Sequence, residues 1–239
     1  METPMKQFQS LFGIPRESVR KNCLLLPFLP PKTLEVFGIK TLNRGTVFSS
    51  ANTDNITVIK TGIGAGFVGD AVLYLQGTAC QNIFFLGSCG LINKEKGLKI
   101  GDLILPGAAY GFESFSDIVD NRIQVPVAAH PDEGLYSRFL QASGATAHAC
   151  PVVSFASLHE EEKHMGLFRE LNADVIEMEC AALFLAARKA GKKALALLFI
   201  SDILEETRFF EELSSANKKS LSAGAEQAAK MIRMFTRPD

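Results

Sequence analysis

The sequence predicts an α/β fold with much parallel strand pairing, on three observations. Short apolar segments alternate along the chain with segments of helical period. Most of the short segments are apolar throughout, the pattern of strands covered on both faces of a sheet. At 239 residues, 47% of them apolar, the chain can also bury one large core without disulfides or metal. No linker, repeat or low-complexity tract interrupts it, so residues 1–239 are expected to form a single domain.

The elements follow in order. Strands are expected at 23–27, 56–60, 83–87, 103–105, 149–155, 175–178 and 194–200. After the second, the turn Gly62-Ile63-Gly64-Ala65-Gly66 leads into a helix whose stripe is Phe67, Val68, Ala71, Val72 and Leu75. After the third, Gly87-Ser88-Cys89-Gly90 reads as a turn at the strand's carboxyl edge. Segments 134–143 and 160–171 read as surface helices, whereas 180–187 is apolar nearly all round and hence buried. Leu221, Ala225, Ala228, Ile232 and Phe235 recur at four-three spacing and predict a C-terminal amphipathic helix against the sheet. The first 20 residues are weakly patterned, and 107–130 predicts a loop or excursion near the site.

Composition removes several function classes. The formal net charge is −1, from 25 basic and 26 acidic residues interspersed along the chain. That balance argues against a nucleic-acid partner, which calls for clustered Lys and Arg. Cys23, Cys80, Cys89, Cys150 and Cys180 are odd in number and form no C-x-x-C pair, as expected of reduced, buried thiols in a cytoplasmic protein. His130, His148, His159 and His164 have no metal-ligand spacing, so no metal site is expected. The start of the chain has no signal-peptide core, and the apolar run 23–28 is too short to span a membrane.

Chemistry points to the stretch 175–204. An all-apolar strand delivers Asp202 at its carboxyl end, the edge where open α/β sheets bind ligands. Glu179 follows the strand-like segment 175–178 and opens the buried helix. Carboxylates at the ends of buried elements are costly unless they have a task, so two of them predict one pocket. Each has a structural account too. The helix dipole favours an acid where Glu179 stands, and Asp202-x-x-Glu205 fits a capping box for a following helix. Their joint placement near a third strand end favours function. There, glycines flanking Ser88 let its hydroxyl and nearby N–H groups converge on an anion or a water; a plain turn is the alternative. The glycines at 62, 64 and 66 lack the dinucleotide spacing, so a Rossmann-type oxidoreductase fits poorly.

Taken together, these residues resemble the nucleoside phosphorylase and nucleosidase superfamily. The matching pieces are Thr61-Gly62-Ile63-Gly64, Gly87-Ser88-Cys89-Gly90, Lys99-Ile100-Gly101-Asp102, Ile176-Glu177-Met178-Glu179 and Ile200-Ser201-Asp202, in the family's order across 56–235. The resemblance implies a three-layer αβα sandwich around a mixed, partly barrel-like sheet, assembled as a homo-oligomer, either a dimer or a trimer of dimers. It implies cleavage of the N-glycosidic bond of a purine or 5′-modified nucleoside, with no organic cofactor or metal and with phosphate only as a co-substrate. On this likeness Glu179 holds the ribose 2′ and 3′ hydroxyls, Met178 packs under the sugar, and Asp202 meets purine N7. Ser88, Gly87 and Gly64 surround the nucleophile, and Phe155 or His159 stacks on the base.

Two departures bear on the nucleophile. Phe85 stands where phosphorolytic members often carry Arg, and the first strand leads into Leu26-Pro27-Phe28-Leu29-Pro30-Pro31 rather than an Arg-bearing glycine loop. Arg44 resembles a phosphate arginine donated by a neighbouring subunit. The hydrolytic branch places a water-activating Glu just after the first strand; here the nearest is Glu35. Because Phe85 supplies no charge, hydrolysis is favoured over phosphorolysis. A nucleoside-binding relative without turnover is the third reading, suggested by the same departures.

Overall fold

A computed structural model describes residues 5–30, 32–112, 114–207 and 211–237. The first third holds α1 (Met5–Phe12), β1 (Asn22–Leu26), α2 (Thr33–Val36), β2 (Asn43–Arg44), β3 (Ser49–Asn52), β4 (Ile56–Lys60) and α3 (Ala65–Tyr74). The middle holds β5 (Asn82–Leu91), β6 (Leu103–Phe112), α4 (Phe115–Val119), β7 (Val127–Ala129), α5 (Glu133–Ser143) and β8 (Ala147–Phe155). The last part holds α6 (Met165–Glu170), β9 (Val175–Glu177), α7 (Cys180–Ala190), β10 (Lys193–Ile203) and α8 (Ser215–Phe235).

The sheet is mixed and partly closed. β10 pairs with both β5 and β6, β6 with β8, β8 with β9, and β9 returns to β5, so five strands form a ring. From β5 an open wing continues through β1, β4, β3 and β2. Helices cover both faces, as the apolar strands require. Ile83 and Phe85 of β5 pack with Val68 and Val72 of α3 and Leu183 of α7. Phe84 and Leu86, on the opposite face, pack with Phe139 of α5 and Ala225 and Ile232 of α8. Each fully buried Phe or Leu contributes about 1.5–3 kcal/mol to this assembly.

The expected strands are all present, with three differences of consequence. Residues 87–90 are not a turn: β5 runs unbroken to Leu91. β6 continues to Phe112 through what reads as a loop, because a bulge between Pro106 and Ala108 absorbs the proline and Gly107. Among the described residues no helix starts at Asp202. Residues 204–206 form a turn closed by mutual Ile203 and Thr207 backbone bonds of 3.0 and 2.8 Å, so Asp202 caps nothing. Phe67 also departs from its stripe, being 50% exposed while Val68, Ala71, Val72 and Leu75 are buried.

The motif Lys99-Ile100-Gly101-Asp102 fixes β10 near its end. Gly101 N–H donates to the Ile200 carbonyl at 2.9 Å, and Ile200 N–H donates to that of Asp102 at 3.0 Å. Gly101 adopts φ +93°, and a Cβ there would stand 2.4 Å from the Ser220 carbonyl oxygen of α8. Only glycine permits both the backbone angle and this approach. Helix α8 is thereby seated against the segment that holds Asp202.

Candidate active site

Three strands meet at Gly90. Its register partners are Asp202 on β10 and Ile176 on β9, three residues before Glu179. The β10–β5 register slips between Ile200, opposite Cys89, and Asp202, opposite Gly90. Consecutive strand residues ordinarily face opposite ways, but this bulge re-aims them so that Ser201 and Asp202 line the same cleft. The Ser201 hydroxyl lies 2.5 Å from Asp202 Oδ1 and 3.2 Å from the Cys89 carbonyl, the two acceptors for its one proton. Burial pushes the Asp202 carboxyl up, and the Ser201 hydrogen bond opposes it. Gly90 leaves room for that carboxyl: a Cβ would stand 2.9 Å from Asp202 Oδ2 and 2.5 Å from Leu204 Cδ1. Gly90→Ala is therefore expected to cost about 1–3 kcal/mol of stability and to displace Asp202, measured as a lowered Tm together with lost turnover.

Glu179 sits at the start of α7 without capping it. The capping carboxylate is Glu177, whose Oε2 accepts from the Glu179 and Cys180 N–H groups at 2.7 Å each, while Oε1 accepts from the Ser154 hydroxyl. Burial raises the Glu177 pKa and these bonds oppose it; with three donors and the helix dipole, it is the member of the pair that keeps its charge. Glu179 Oε1 accepts one bond, 2.6 Å from Gly64 N. Burial first, and the neighbouring Glu177 second, push Glu179 up to about 8. Gly64 has φ 107° and ψ 154°, a region essentially reserved for glycine. The glycine turn is thus neither a nucleotide cradle nor a mere bend; it aims an N–H at an acid.

The cleft these residues line is open to solvent and encloses about 60 Å3. Pro27, Phe28, Ile63, Ser88, Ile176, Met178 and Leu158 supply much of its wall. Three carboxyl groups face it, Glu161, Glu179 and Asp202, and among its described lining residues there is no Lys, Arg or His. Of the residues expected at the site, Asp202, Glu179, Met178 and Ser88 come together here. Gly64 reaches it through Glu179.

Others stand elsewhere. Gly87 is inside β5, where a Cβ would stand 2.7 Å from the Phe85 ring, so its smallness serves packing. Phe155 is not a cleft wall; it is fully buried, with Phe112, Phe168 and His164 rings at 6.2, 5.0 and 5.3 Å. The His159 side chain is 84% exposed and bonded to Glu160 at 2.6 Å. Arg44 is exposed on β2, and Glu35 is exposed on α2. Phe85, in the place of the expected arginine, is core on the α3–α7 face.

One group has the chemistry of a metal site that spacing did not suggest. His148 and Cys150, two apart on β8, meet Asp174 with ligand-type atoms within 4.8 Å of one another. Asp174 already accepts from Lys96 at 2.8 Å, Asn93 at 3.2 Å and His148 at 3.3 Å. The lysine ammonium fills the place of a cation there.

Sequence comparison decides the family. The phosphorylase superfamily profile matches residues 26–237. The chain belongs to the phosphorylase superfamily. Among curated superfamily members, a guanosine phosphorylase of Halorubrum lacusprofundi is 27% identical over 158 residues, 63% of this chain and 62% of the relative. A DeoD-type purine nucleoside phosphorylase of Bacillus subtilis is 29% identical over 154 residues, 62% of this chain and 63% of the relative. The chain therefore spans somewhat under two thirds of the curated relatives it matches. A 5′-methylthioadenosine/S-adenosylhomocysteine nucleosidase of Helicobacter pylori shares the fold, with TM-score 0.70 at 20% identity over 91% of this chain and 97% of that one.

Glu161 was not foreseen. It lies in a polar run, Glu160-Glu161-Glu162-Lys163-His164, that reads as a solvated face. A signal was available nonetheless: Glu161, Met165 and Phe168 repeat at four-three spacing and all three are buried. An acid thus occupies the apolar stripe of this segment.

Proposed function

We propose that the chain cleaves the N-glycosidic bond of a purine or 5′-modified nucleoside, with water as the nucleophile. The supporting observation is the shared cleft: Glu179, Asp202 and Met178 line one space. Breaking the sugar–base bond builds positive charge on the ribose ring and negative charge on the base. Glu179, once ionised, takes the ribose hydroxyls and favours the cationic centre. Asp202, whose carboxyl burial pushes up toward the protonated form, gives its proton to the departing base at N7. Ser88 lines the same cleft and would hold the attacking water.

Water is preferred to phosphate because no Lys, Arg or His stands among the described residues lining the cleft to hold a dianion. Phosphorolysis is the second reading, favoured by the exposed position of Arg44 on the edge strand β2, from which it would serve a neighbouring copy's cleft. Half-exposed Ile63 and Phe67 beside the glycine turn support such a homo-oligomer. No organic cofactor enters this scheme. Among the described residues no helix is long and apolar enough to cross a membrane, and the five free, buried cysteines favour a cytoplasmic setting.

The test is base release from a panel of nucleosides with and without added phosphate. Equal rates in phosphate-free buffer are expected. Release that requires phosphate would replace hydrolysis by phosphorolysis.

A further inference from the structure

Three donor groups outside the cleft meet at the junction of β8 and β9. His148 and Cys150 stand two apart on β8, so both project from the same face of that strand. Asp174 precedes β9, which runs parallel to β8 and pairs with it from Val152 and Val175 onward. That register brings the three together: their ligand-type atoms lie within 4.8 Å of one another, and no other such trio occurs among the described residues. His148 Nε2 stands 3.3 Å from Asp174 Oδ2. Two ligands of one tetrahedral zinc ion stand at about that separation, given bonds of about 2.0–2.2 Å.

The place already attracts a cation. Lys96 Nζ lies 2.8 Å from the same Asp174 Oδ2, and the Asp174 side chain is 1% exposed. The lysine side chain, however, is 45% exposed and comes from a short turn at residues 94–96, so it can swing into solvent at small cost. What it leaves is a buried carboxylate, which is costly unless another positive charge takes over. A metal ion does so and binds the sulfur and the imidazole as well. Asn93 Nδ2 donates to Asp174 Oδ1 at 3.2 Å, which orients the carboxylate and leaves Oδ2 for the metal. The approach is open, because Asn93, Lys96 and Asp174 line a cavity of about 550 Å3. Sulfur, imidazole nitrogen and a single carboxylate suit zinc and neighbouring transition metals, whereas magnesium and calcium call for oxygen donors.

We propose that His148, Cys150 and Asp174 bind one zinc-type transition-metal ion, which takes the place of the Lys96 ammonium. His148 binds through Nε2 with its proton on Nδ1, Asp174 through Oδ2, and Cys150 as the thiolate, its proton passing to solvent. A water completes the four ligands. The site is separate from the cleft and does not depend on the nucleosidase reading. Its consequence reaches the cleft through the chain. The Asp174 carbonyl accepts from the Ile92 and Asn93 N–H groups at 2.8 and 3.1 Å, and the strand after it leads through Glu177 to Met178 and Glu179. The ion therefore ties β8 to the end of β5 and to the segment that supplies Met178 and Glu179.

The experiment titrates the reduced, chelator-treated protein with zinc by calorimetry and with cobalt by absorption, for wild type, Cys150→Ser, His148→Gln and Lys96→Gln. Wild type should bind one zinc ion, and cobalt should show the visible bands of a tetrahedral centre with a thiolate charge-transfer band. Cys150→Ser should lose that band. Cys150→Ser and His148→Gln should each weaken zinc binding at least about tenfold; the His148 side chain is 33% exposed, so its substitution leaves the core intact. Lys96→Gln should bind zinc more tightly, because the competing ammonium is gone. Zinc at about 100 times its Kd should raise the wild-type Tm by about 5 °C or more, and the same concentration should raise that of Cys150→Ser by about half as much or less. No zinc binding by wild type, a cobalt spectrum without the thiolate band, or an affinity that neither Cys150→Ser nor His148→Gln changes would overturn the site. Weaker zinc binding by Lys96→Gln would overturn the displacement of the lysine.

Discussion

Asp202→Asn is expected to lower kcat for base release by about 100- to 10,000-fold, the usual contribution of a positioned proton donor. Asparagine matches the carboxyl in size, keeps an oxygen for the Ser201 hydroxyl at the observed 2.5 Å contact, and respects the space left by Gly90. Its amide has no proton to give to a leaving base. Folding should therefore persist, with Tm unchanged or raised, because a carboxyl whose ionised form burial disfavours has been removed. Nucleoside binding measured by calorimetry should also persist. Wild-type protein that binds nucleosides without cleaving them would instead point to a relative that kept the fold and lost turnover.

Glu179→Gln is the second large effect, a fall of about 100- to 1,000-fold in kcat/KM on ribonucleosides. Glutamine still accepts from Gly64 N–H at the position of the present 2.6 Å bond, but supplies no charge to the sugar. Nucleosides lacking the ribose 2′ hydroxyl already miss this interaction, so the preference for ribose over deoxyribose should shrink with it. The pH dependence follows from the signs. Glu179 is raised to about 8 in the free protein, so the ionised form that grips the sugar accumulates only as pH climbs through that value. Because kcat/KM reports free-enzyme ionisations, its acid limb rises through about pH 8 in wild type. The alkaline limb falls as Asp202, whose carboxyl burial pushes up, loses its proton. Wild type should show a bell, and Glu179→Gln should lack the acid limb. An acid limb that survives the substitution would assign it to another group.

The buried strands are legible because continuous apolar runs leave few alternatives to a sheet covered on both faces. The wing strand β3, Ser49–Asn52, is polar enough to read as a loop, and its pairing with β4 and β2 makes it a strand. The second half of β6 hides for a different reason, since proline and glycine suggest a break that a bulge accommodates. Helix α1 was readable in retrospect: Phe8 and Phe12, four apart, stack at 4.3 Å. At the site, the paired acids were visible from their places after apolar strands. Which acid caps α7 was not, because Glu177 and Glu179 have the same chemistry and only the peptide geometry turns the first inward. Phe155 misled because an aromatic at a strand's end fits a stacking wall equally well; the face it shares with Val153 sends it into the core. Glu161 becomes a cleft residue only through the three-dimensional approach of its turn to β10.

The most direct measurement is a crystal structure with a nucleoside analogue whose glycosidic bond resists cleavage. The sugar hydroxyls should lie within hydrogen-bond distance of Glu179, Met178 should pack beneath the ring, and the base edge should meet Asp202. An analogue bound elsewhere, or seated in the cleft with its sugar away from Glu179 and its base away from Asp202, would contradict the account.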